Sequence, residues 1–124
     1  MDTRTKIIPF EILPAHLGSD SPNHSWIVVP GLFDPMTATQ VRRLGQYAQG
    51  KNLAVVVLDQ PGTLLEAASR AVLAAALRIV SVVSIASLDK WNNTNLLCET
   101  VPYDEAEERR MTEGFIALVA RQKP

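Results

Sequence analysis

The residues best placed to do chemistry sit in one short segment. Gly31-Leu32-Phe33-Asp34 is followed closely by Thr37, Thr39 and Gln40. The set holds a glycine, a carboxylate and neutral hydrogen-bonding side chains, and no positive charge. A chain that leaves an apolar run here and enters a helix presents free backbone N–H groups, and such a helix start favours phosphate. Gly31 supplies backbone freedom with or without a ligand. Asp34, followed by Pro35, reads equally as a ligand carboxylate and as turn chemistry. Thr37-x-x-Gln40 also has the form of a capping box, the preferred reading of that pair.

Other chemistries lack their residues. His16, His24 and Cys98 stand at unrelated spacings and give no zinc pattern. Neither G-x-x-x-x-G-K-[ST] nor G-x-G-x-x-G occurs. The string Val28-Val29-Pro30-Gly31-Leu32-Phe33-Asp34-Pro35 is faintly similar to an α/β-hydrolase oxyanion loop, but no G-x-S-x-G elbow follows and the chain is short for that fold. A net charge of −1, from 12 basic and 13 acidic residues, gives no footprint for nucleic acid or an anionic membrane. A single cysteine makes no internal disulfide. Met1 to Lys6 holds no apolar signal core, and Arg70, Arg78 and several serines interrupt the longest apolar stretch, Ala67 to Ala86. The expectation is a cytoplasmic protein with neither a nucleic-acid nor a membrane partner.

The elements that must position the segment follow from periodicity. Ile7 to Leu17, broken by Pro9 and Pro14, fits a helical turn or an extended stretch; Gly18 to Ser25 is a loop by composition. Trp26 to Val29 reads as a first strand, apolar on both faces, stopped by Pro30 and Gly31. Thr37 to Gln49 is a helix with Val41, Leu44 and Ala48 on its buried face, and Gly50 ends it. Leu53 to Leu58 is a second strand, and Asp59 to Gly62 a turn. Thr63, with Glu66 in the reciprocal position, is expected to cap a helix running to about Ile79 and covered on more than one side. Ser81 to Ala86 is a third strand, and Leu96 to Val101 a short fourth. Asp104 and Glu107 cap a last helix with a stripe of Met111, Phe115, Leu118 and Val119, weakened at Gly114. The order β-α-β-α-β-(β)-α predicts one Rossmann-like three-layer α/β sandwich over residues 1–124, with a mostly parallel sheet. Ligands then belong beyond the carboxyl ends of the strands, in loops 31–39, 59–63 and 87–95. The outer two loops add Asp59, Gln60, Asp89, Lys90, Asn92 and Asn93.

The segment Gly31-Leu32-Phe33-Asp34-Pro35-Met36-Thr37-Ala38-Thr39-Gln40 resembles the G-x-F-D-x-x-H-x-G-H signature of the nucleotidylyltransferases. Heptose-phosphate adenylyltransferases and glycerol-phosphate cytidylyltransferases are the nearest in pattern. Gly50 to Val57 is similar to that family's second strand, and Arg70 to Val80 to its R-x-x-x-L-x-A-L-R-x-V-D helix segment. With Lys6 to Leu13, the likeness covers residues 6 to 87. It implies ATP or CTP with Mg²⁺ as the ligands, and Gly31, Leu32, Phe33, Asp34, Thr37, Thr39 and Gln40 as the nucleotide and phosphate contacts. The family's two histidines stabilise transition-state charge. Their positions are Thr37 and Gln40 here, with Thr39 replacing the glycine between them. Losing one good charge-stabilising donor costs about 100- to 1000-fold in rate. His24 lies a strand length away, roughly 15 Å, and is no substitute. The basic loop after the second strand is shortened to Asp59–Thr63, and the late serine/threonine-rich phosphate motif is missing.

Three functions follow. The chain is a catalytically impaired nucleotidylyltransferase-like domain that binds a nucleotide or sugar phosphate, an active enzyme with an altered site, or a scaffold or regulatory domain that binds a protein, including a homodimer. Arg70 and Arg78 read as surface or salt-bridge residues, Asp104 to Arg110 as a solvated face with a Glu105–Arg109 pair, and Cys98 and Trp91 as core.

Overall fold

Three apolar runs form the long strands, and alternation of their side chains makes two cores. The computed structural model describes residues 2–18 and 25–122. The expected Gly18–Ser25 loop lies outside them except at its ends, as does His24. Strands β1 (Trp26–Gly31), β2 (Asn52–Leu58), β3 (Val80–Ala86) and β4 (Glu99–Thr100) form one parallel sheet in the order β3-β2-β1-β4. The helices are α1 (Leu13–Gly18), α2 (Ala38–Ala48), α3 (Ala67–Ala75), α4 (Leu88–Asn92) and α5 (Glu105–Arg121). On one face Ile27, Val29, Leu53, Val55 and Val57 meet Leu44 and Ala48 of α2 and the alanines of α3. On the other, Val28, Ala54, Val56 and Leu58 meet Phe10, Leu13 and Leu17, with Leu88 and Trp91 of α4 packed alongside. Helices on both faces of a parallel sheet are the expected three-layer α/β sandwich. Among the described residues no helix is long and apolar enough to cross a membrane.

The leading segment takes both of its expected forms. Beyond a 3-10 turn at Thr3–Lys6, the Ile7–Leu17 stretch makes a second at Phe10–Ile12 that runs into α1. Between them Ile7 bridges Val83 in parallel, Ile8 N–H donates to Val83 O at 2.9 Å, and Ser84 Oγ donates to Ile8 O at 2.9 Å.

Four expectations need correction. The first strand does not stop before Pro30; it runs through Gly31. Val28 O accepts from Val101 N on the β4 side, so by strand alternation the missing N–H of Pro30 faces the same side, where β4 has already ended. No ladder bond is lost there. Helix α3 starts at Ala67 rather than at Thr63 and ends at Ala75. Thr63 donates its hydroxyl to Leu65 O, and Glu66 occupies the cap position without a side-chain bond. Nor is α3 covered on more than one side: Ala71, Ala74 and Ala75 are buried, whereas Val72 and Leu73 are exposed. Helix α5 is capped by Asp104 as expected, but Ile116, Leu118 and Val119 in its second half are exposed.

Candidate functional site

The sheet order reverses between β1 and β4, and ligands in open α/β sheets favour the crevice at such a reversal. The start of α2 points into that crevice. Thr37 Oγ1 accepts from Gln40 N at 3.3 Å, and Gln40 Oε1 accepts from Thr37 N at 3.1 Å, so the capping box forms. Two of the donors that a helix start leaves free are thereby used internally. Thr39 faces solvent, its hydroxyl accepting from Arg42.

Gln40 has a second role. Its Nε2 donates to Glu108 Oε2 of α5 at 3.2 Å. The Leu32 N–H also faces the Glu108 carboxyl and favours its charged form. Glu108 Oε1 lies so near Gly31 that a Cβ there would collide with it, and would meet the Phe33 ring at 2.8 Å. Gly31 is therefore a glycine because a carboxylate and an aromatic ring approach its Cα. The space left between β1, β4, α2 and α5 is about 60 Å³, room for little more than water.

Burial pushes the Glu108 carboxyl up to about 7, with the nearby Glu107 adding to the rise. The Leu32 N–H, the Gln40 amide and the Arg43 charge oppose it. Arg43 itself pairs with Glu107. Thr112 Oγ1, one turn beyond Glu108, donates to the Asp34 carbonyl at 2.9 Å. The first half of α5 is thus fastened across the crevice largely by polar contacts.

The Asp34 carboxylate points away from the crevice. It accepts from the N–H groups of Leu64 and Leu65 at 2.5 and 2.8 Å, and the residue is buried. Phe33, at φ +50°, turns the chain toward that contact. A left-handed conformation costs a bulky residue on the order of 1 kcal/mol or more, which burial of its ring helps to offset. The Asp34–Pro35 peptide is cis. Both carboxylate oxygens thus tie residues 64 and 65 to the turn after β1, while the Thr63 hydroxyl is taken up by Leu65 O and caps no helix.

Arg70 corrects the surface reading. It is only 1% exposed. Its Nη1 donates to Leu32 O at 2.7 Å and Leu58 O at 3.0 Å, and its Nε to Leu65 O at 2.9 Å. One guanidinium therefore ties the ends of β1 and β2 to the loop before α3. Desolvation lowers its pKa, and Asp34, Asp59 and Tyr103 partly restore the charged form. Arg78 is exposed, as expected. The outer loops do not add to the crevice. Asp59 and Asp89 are exposed, Lys90 pairs with Glu11, and Ser87 caps α4 through Lys90 N. Among the described residues no group of three His, Cys, Asp or Glu side chains is placed to hold a metal.

The run Asp104–Arg110 is only partly a solvated face. The expected Glu105–Arg109 pair forms at 3.2 Å, while Glu108 turns inward. A signal existed for each missed residue. Glu108 stands at the head of the Met111, Phe115, Val119 stripe, and Arg70 falls on the buried alanine stripe of α3. No protein-family model matches the chain, and no curated protein matches it significantly.

Proposed function

We propose that the chain is a nucleotidylyltransferase-like domain without transfer activity, whose phosphate-facing edge is closed by its own last helix and which acts as a scaffold or regulatory module. The observation that carries this reading is the Glu108 carboxylate seated between Gly31, the Leu32 N–H and Gln40. A nucleotide phosphate and this carboxylate call for the same donors and cannot share them. The replacement of both motif histidines by Thr37 and Gln40 supports the same conclusion on chemical grounds.

The test combines thermal shift and calorimetry with ATP, CTP and Mg²⁺, then pyrophosphate release with sugar and polyol phosphates. The expected result is no saturable binding at millimolar nucleotide and no release. Pyrophosphate release that disappears in Asp34→Ala would refute the reading in favour of an active enzyme with an altered site.

One observation favours the retained-binding alternative, a nucleotide or sugar-phosphate module. The group beside the Leu32 N–H and the Gln40 amide is a carboxyl, which offers them oxygen acceptors as a phosphate would. An external phosphate could use the same donors once Glu108 left. Phosphate-monoester binding by Glu108→Ala and not by the wild type would mark the site as intact but shut. Binding by both would overturn the closed-edge reading.

A further inference from the structure

The face that α5 turns toward the body runs the whole length of the helix, but the body does not. Glu108 and Thr112 dock on the crevice. The same helical row continues through Phe115 and Val119 at i+7 and i+11 from Glu108, with Ile116 beside it. Ile116 is 46% exposed and Val119 41% exposed. An apolar row in line with a docked face is a face built to be covered.

A second bare apolar surface lies close by. Leu65, Ala68, Ser69, Val72 and Leu73 line a shallow trough of about 430 Å³ on the outside of α3, where Val72 and Leu73 are 41% and 44% exposed. The two surfaces adjoin, because Ile116 and Leu64 line one depression and Leu65 opens the trough. Both are open apolar surfaces, so each can cover the other.

We propose that two copies of this chain associate about a two-fold axis, the second half of α5 of each lying in the α3 trough of the other. This deepens the scaffold reading above by naming its partner. Reciprocal exchange covers both bare surfaces in both copies with one contact, as an isologous interface requires. The exposed parts of Leu64, Leu65, Val72, Leu73, Phe115, Ile116 and Val119 supply on the order of 500 Å² per protomer and roughly 1,000 Å² for the pair, the threshold of a specific interface. Charge agrees with an antiparallel lay. Among the described residues, Glu66 at the start of α3 and Arg121 at the end of α5 form no ion pair, and this lay brings each to the other across the interface. Such a rim pair adds little affinity but sets direction. The net charge of −1 opposes the association only weakly.

Sedimentation velocity over a concentration series tests the association, with a micromolar dimer expected. Val72→Glu and Val119→Glu each alter an exposed position, so unchanged far-UV circular dichroism and melting should accompany a dissociation constant at least ten times weaker. The pairing itself is read by disulfide capture in a Cys98→Ser background. A mixture of Ala68→Cys and Val119→Cys chains, which the Glu66–Arg121 register places opposite each other, should cross-link, and neither chain alone should. A monomer at about 200 μM, or a dimer that both glutamates leave unchanged, overturns the proposal. So does cross-linking of Val119→Cys with itself, which would place α5 against α5. Nucleotide binding would refute the closed-edge function without altering any of these readouts, so the two readings fail separately.

Discussion

Replacing Glu108 by glutamine should remove a pH dependence that the native fold carries. Burial lifts the folded pKa of this carboxyl from 4.5 to about 7. Between those values the native state binds a proton that the unfolded chain has released. Stability therefore falls as pH rises, because the unfolded state binds fewer protons. The contribution is complete below about pH 4.5 and lost above about pH 7. A difference of this size is worth at most about 3.4 kcal/mol at 1.36 kcal/mol per unit. The carboxyl is not fully sealed from solvent, so about 1–2 kcal/mol is expected to survive screening. Glutamine copies the protonated carboxyl, with one acceptor oxygen and one donor, and does not titrate. Urea unfolding of both proteins at about pH 5 and about pH 8.5 makes the comparison. The wild type should lose about 1–2 kcal/mol more than the variant over that interval. Parallel stability profiles would refute the placement of Glu108 in a desolvated crevice.

Three substitutions probe the rest of the edge by equilibrium unfolding. Gly31→Ala drives a methyl into Glu108 Oε1 and the Phe33 ring and should cost about 1–3 kcal/mol. Asp34→Ala frees the N–H groups of Leu64 and Leu65, should cost about 2–3 kcal/mol, and should speed proteolysis within residues 59–66. Arg70→Met strips three carbonyls of their buried donor and should cost about 3 kcal/mol or more, whereas substitution of exposed Arg78 by methionine should stay within about 0.5 kcal/mol.

The layers of this fold were readable because they depend on periodicity. LAVVVL and SVVSIA can sit only inside a sheet covered on both sides, and Leu44 and Ala48 mark the face that covers one of them. The caps Thr37-x-x-Gln40 and Asp104-x-x-Glu107 were equally local. What sequence reasoning missed depends on contacts between residues distant in the chain. Thr63 fails as a cap because its hydroxyl donates to Leu65 O, in a loop that Asp34, about thirty residues earlier, holds through the N–H groups of Leu64 and Leu65. Pro30 is tolerated in β1 because β4 is short on that side. Arg70 is buried because three carbonyl oxygens from two strand ends and a loop converge on it, and its place on the buried alanine stripe of α3 is the one local sign of that. Glu108 looked solvated because it sits among charges, and only its register with Thr112 and Phe115 turns it inward.

The parallel contact of residues 7 and 8 with Val83 has a consequence for how the molecule can meet its neighbours. A sheet normally grows by adding a strand at an open margin. Here one margin is occupied by the chain's own leading segment, with Ser84 fastening it through Ile8 O. The other margin offers only the two residues of β4. Strand addition and fibril-type stacking therefore find little template on either side. That leaves recognition by this protein to side chains on its helices rather than to its backbone.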